Sequence, residues 1–63
     1  MTFTEMAELI AADYHEGRIS RGEMIQNASD YLIKSLRAEN GEERKKLGNM
    51  ACAYSYAVDI LTR

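Results

Sequence analysis

Hydrophobic residues recur along this chain at intervals of three and four, in three runs separated by short polar breaks. At about 100° per residue, such spacing gathers side chains onto one side of an α-helix. In the first run, Phe3, Met6, Ala7, Ile10 and Tyr14 share a stripe, with Glu5, Glu8, Ala12 and Glu16 opposite. In the second, Met24, Ile25, Ala28, Tyr31, Leu32, Ser35 and Leu36 form the stripe, and Glu23, Asn27, Asp30, Lys34 and Arg37 the polar side. The pattern predicts a helix over about 3–16 and another over about 21–39.

The third run, predicted over about 42–62, departs from this simple form. Leu47, Met50, Ala51, Tyr54, Ala57, Val58 and Leu61 make the expected stripe, yet Cys52, Ala53, Tyr56 and Ile60 on its far side are apolar too. From Met50 onward the helix is apolar nearly all round, and a helix of that kind is normally enclosed on several sides. One face of the second helix cannot cover it; the remaining cover must come from the first helix or from another chain. Met50, Ala53, Tyr56, Ala57 and Ile60 are therefore the candidate interface residues, with Tyr56 and Ile60 the leading pair. Tyrosine suits such a place, because it buries a large ring and keeps a hydroxyl that wants a partner. Gly48, Ala51, Ala53, Ser55 and Ala57 are small and permit close backbone approach, either within the hairpin or to a second copy.

Local signals mark where each helix begins and ends. Thr2 followed by Glu5, and Ser20 followed by Glu23, are capping-box patterns, in which each side chain satisfies an orphan backbone N–H. Ile19 and Met24 stand at the positions of a hydrophobic staple around the second cap. Gly17 suits the residue just past a helix end. Asn40 suits a cap for the third helix, with Glu42 and Glu43 at its positive end. These breaks divide 63 residues into one helical domain, an αα-hairpin of the second and third helices plus an N-terminal helix.

Size sharpens the expectation. A chain this short buries only about 60% of the surface its unfolded form exposes, so a lone core is marginal and outside support is usual. Cys52 is the one cysteine, which rules out an internal disulfide. His15 and Cys52 are the only soft metal ligands, too few for a structural site. Self-association is the expected remedy, as a helical homo-oligomer, with an unknown second protein as a further partner. The net charge of −2 offers no electrostatic case for nucleic acid. No apolar run reaches the roughly 18 residues of a membrane span, and the N-terminus lacks a signal peptide's basic start. A cytoplasmic location follows as the expectation, where a free thiol stays reduced.

A nucleophile needs a base within reach and a group to orient it. The one Cys–His combination places Cys52 and His15 on different helices, and the carboxylates fall at caps or on polar faces. Glu42 and Lys46 pair at i,i+4 within the charged run Glu42–Lys46, the signature of a solvated helix start. No catalytic residue, cofactor or metal is expected. The alternative to an interaction protein is a helix-turn-helix-like DNA-binding regulator, with Arg18 and Arg21 at the start of the second helix. Against it, the outward face carries Glu23 and Asp30, which meet phosphates badly.

The whole chain, and the block AADYHEGRISRGEMIQNASDYLI (Ala11 to Ile33) in particular, resembles the small open-reading-frame proteins of the exo–xis region of bacteriophage lambda and related lambdoid phages. The resemblance rests on overall sequence and length. It implies an early-expressed accessory protein in the host cytoplasm that influences the lysis–lysogeny balance or prophage induction. It supplies no site residues.

Overall fold

The computed structural model describes residues 2–62. Three helices occupy them: α1 (Phe3–His15), α2 (Arg21–Arg37) and α3 (Gly41–Thr62). Among the described residues there is no strand. α1 ends one residue before the predicted limit and α2 two residues before it, while α3 starts one residue earlier than predicted.

The caps explain these limits. The Thr2 hydroxyl accepts from the Glu5 N–H at 3.2 Å, and the Thr2 N–H donates to the Glu5 carboxylate at 3.3 Å. The Ser20–Glu23 pair repeats the arrangement with both bonds at 3.1 Å. Asn40 accepts from the Glu43 N–H through its side chain at 2.7 Å and so caps α3. At the end of α1, Gly17 takes φ +77°, the left-handed conformation that costs glycine nothing. The Arg18 N–H then donates to the Asp13 carbonyl at 2.9 Å and the Gly17 N–H to the Tyr14 carbonyl at 3.0 Å. Those two bonds make a Schellman motif. The motif's usual apolar contact is replaced here by charge: the Arg18 guanidinium meets Asp13 at 3.5 Å and Glu16 at 3.0 Å.

α3 is the central element. It packs against α2 along one side and α1 along another, whereas α1 and α2 touch each other little. At 22 residues it runs about 33 Å, close to the molecule's longest extent of 35 Å. The core is thin and made of small side chains. Ala7, Ile10, Met24, Ala53 and Ala57 form it, with Met6, Ile19, Tyr54, Val58 and Leu61 packed around. Met24 is the only large side chain that is fully buried among the described residues. The alanines let α1 lie close to α3, so Ala53 and Ala57 are covered from within the chain while Cys52, Tyr56 and Ile60 stay exposed.

Candidate functional site

The α2–α3 contact uses one line of residues on α2. Met24 and Ser35 are buried, and Ala28, Tyr31 and Ala38 are half-buried. The spacing 24, 28, 31, 35, 38 alternates four and three, the period at which one helix meets another. Three contacts hold this line inward. Tyr31 stacks on Tyr54 with ring centroids 5.7 Å apart and planes 12° apart. The Ser35 hydroxyl donates to the Arg44 carbonyl at 2.9 Å, which draws the two backbones together. Gly48 lies opposite, where a Cβ would stand 3.4 Å from the Ser35 oxygen, in ordinary contact.

One residue further along, a second line of the same period faces outward. Ile25, Leu32 and Leu36 are 51%, 53% and 73% exposed, with Ser29 between them. The residues are bulkier and more aliphatic than those turned inward. α2 is thus apolar on two adjacent faces and presents the stronger one to solvent. This corrects the expectation that Ile25, Leu32 and Leu36 would share the buried stripe. Adjacent pairs such as Tyr31–Leu32 and Ser35–Leu36 are only about 100° apart, and α3 takes the first member of each.

The outer line borders an apolar groove between α2 and α3. Ala28 and Leu32 form one wall, Gly48, Cys52 and Tyr56 the other, and Phe3 closes one side. The Phe3 ring meets the Tyr56 ring edge-on at a centroid separation of 5.8 Å. Lys45 and Asp59 also line the groove, fourteen residues apart on α3.

The five interface candidates divide. Ala53 and Ala57 have no exposed surface; they lie in the chain's own core, against α1, and an outside contact there is corrected. Met50 is half-buried. Tyr56 and Ile60 remain exposed at 37% and 38%, Tyr56 on the groove wall. The face missed was on α2, where a helical-wheel reading merges two apolar faces into one wide stripe.

The chain exposes 4558 Å² in all. A compact monomer of 7.1 kDa exposes about 4,100 Å², so this one carries roughly 500 Å² more.

Chemically reactive groups do not converge. Cys52 is exposed and unpaired to sulfur. His15 packs edge-on against Tyr14 at 5.7 Å. Among the described residues no three His, Cys, Asp or Glu side chains come together as a metal site would need, and no helix is long and apolar enough to cross a membrane. Among the described residues one carboxyl is perturbed: the Thr2 backbone N–H, with help from the Thr2 hydroxyl, holds Glu5 below the usual glutamate range. That is the capping box, an arrangement that stabilises a helix end.

Comparison with protein-family models, with curated proteins and with solved structures returned no match.

Proposed function

We propose that this chain is a non-enzymatic interaction protein that works by pressing an apolar helix face against another polypeptide, its own copies included. The observation that carries the reading is the inversion on α2: Ile25, Leu32 and Leu36 face water while Ala28 and Ser35 face the core. Exposed single apolar residues are ordinary, but a contiguous face rimmed by polar residues marks a contact site. The exo–xis resemblance extends the proposal. The chain is then a small accessory protein of a lambdoid phage, made early in the host cytoplasm, that modulates lysis–lysogeny or prophage induction by binding.

A DNA-binding regulator is the weaker reading. Arg18, one of two arginines at the α1–α2 turn, is engaged by Asp13 and Glu16 within the chain. Phosphate contacts need uncompensated basic side chains.

Site-specific photo-crosslinking tests the interaction reading. A photoreactive residue replacing Leu36 is expected to yield polypeptide adducts in cells that make the protein. The same residue replacing exposed Glu8, on the far side of α1, is expected to yield few. A Leu36 probe that captures no polypeptide would overturn the reading.

A further inference from the structure

We propose that the occupant of the outer α2 face is a second copy of this chain, bound about a two-fold axis that sets α2 antiparallel to α2 and α3 antiparallel to α3. The inference rests on the interaction reading above and names the partner for that face.

Self-complementarity is the first argument. A two-fold contact requires a surface whose two halves fit each other after reversal. On α2, the line Ile25, Ser29, Leu32, Leu36 reverses onto itself about a point between Asp30 and Tyr31. Ile25 then meets Leu36 of the second copy, and Ser29 meets Leu32. On α3, the groove wall reverses about Cys52: Gly48 comes opposite Tyr56, and Lys45 opposite Asp59. The glycine leaves room where the tyrosine ring needs it. The ammonium and carboxylate, about 21 Å apart along one helix, exchange ends so that each faces the opposite sign.

The two centres lie at nearly the same level of the molecule. Tyr31 stacks on Tyr54, and Ser35 stands against Gly48. That register sets the point between Asp30 and Tyr31 on α2 opposite positions 52 to 55 of α3, within about two to three residues' rise of Cys52. A single axis therefore serves both helices.

Area is the second argument. Were the dimer to hide the chain's excess surface of roughly 500 Å² on each copy, it would bury about 1,000 Å² in all, the least a specific interface needs. The dimer so formed brings the α2–α3 layers of two copies face to face, a four-helix arrangement with α1 on the outside of each.

Sedimentation equilibrium across a dilution series is the test. The unaltered protein is expected at twice 7.1 kDa, and Leu32→Glu with Leu36→Glu is expected to weaken dimerisation at least about thirtyfold with helical circular dichroism retained. Both leucines are more than half exposed, so the fold does not depend on them. Orientation is read by disulfides in a Cys52→Ser background. Chains carrying Ile25→Cys mixed with chains carrying Leu36→Cys are expected to cross-link, and Ile25→Cys alone is not. This second measurement decides the matter if the double glutamate variant loses its helices. A unaltered chain that stays at 7.1 kDa into the high micromolar range, a folded glutamate variant that keeps the dimer mass, or cross-linking of Ile25→Cys with itself overturns the two-fold dimer. A single-chain mass together with photo-adducts of other proteins at Leu36 leaves the interaction reading standing and removes only this partner.

Discussion

Gly17 shows how much one residue decides. At φ +77° it reverses the chain between α1 and α2, and nothing lies within 4 Å of where a Cβ would stand. The cost of Gly17→Ala is therefore backbone strain alone, about 1 kcal/mol, or a fall of roughly 4–8 °C in Tm. A thermal melt by circular dichroism checks it; an unchanged Tm contradicts the left-handed cap. Glu5 supplies a pH-dependent counterpart. Its folded carboxyl is held below the usual range by the Thr2 N–H and hydroxyl. The capping contribution is thus complete above the ordinary glutamate value and is lost as pH falls through the lowered folded value. The Thr2 and Glu5 amide resonances are expected to titrate together below that range, and Glu5→Gln to remove the transition. Titration of Glu5 at its ordinary value contradicts the cap.

Among the elements, the helices and their ends were legible because their causes are local. Thr2–Glu5, Ser20–Glu23 and Asn40–Glu43 act within four residues of chain, and each bond predicted from the pattern is present. The choice of inward face on α2 was not legible. Tyr31 and Leu32 both read as buried, and the decision between them belongs to Tyr54, Gly48 and the Arg44 carbonyl on another helix. The cover over Ala53 and Ala57 was open for a like reason. Both α1 and a second chain suit two alanines, and Ala7 and Ile10 of α1 occupy the place. That seam tolerates no added bulk. Ala53→Leu is expected to destabilise the fold by about 1–3 kcal/mol, seen in urea unfolding as a lower midpoint. A variant as stable as the parent contradicts the close α1–α3 approach.

At the scale of the whole molecule, the chain has more helix face than it buries. α3 consumes one face of α1 and one of α2, and the core so made contains, among the described residues, a single fully buried large side chain. The strongest aliphatic line in the protein is left on the outside of α2, beside a groove whose wall runs from Lys45 to Asp59. Covering it would remove apolar surface from water at about 25 cal/mol per Å², the support that the proposed association would give so thin a core. Leu9, on α1, is as exposed as Leu32 but stands outside this face, and it serves as an internal reference.

Carbene footprinting of the purified protein at high and low concentration, resolved to single residues, reads the face directly. Ile25, Leu32 and Leu36 are expected to lose labelling as concentration rises while Leu9 keeps its own. Labelling of Leu36 that stays level with Leu9 at every concentration would contradict the assignment of this face to a second copy.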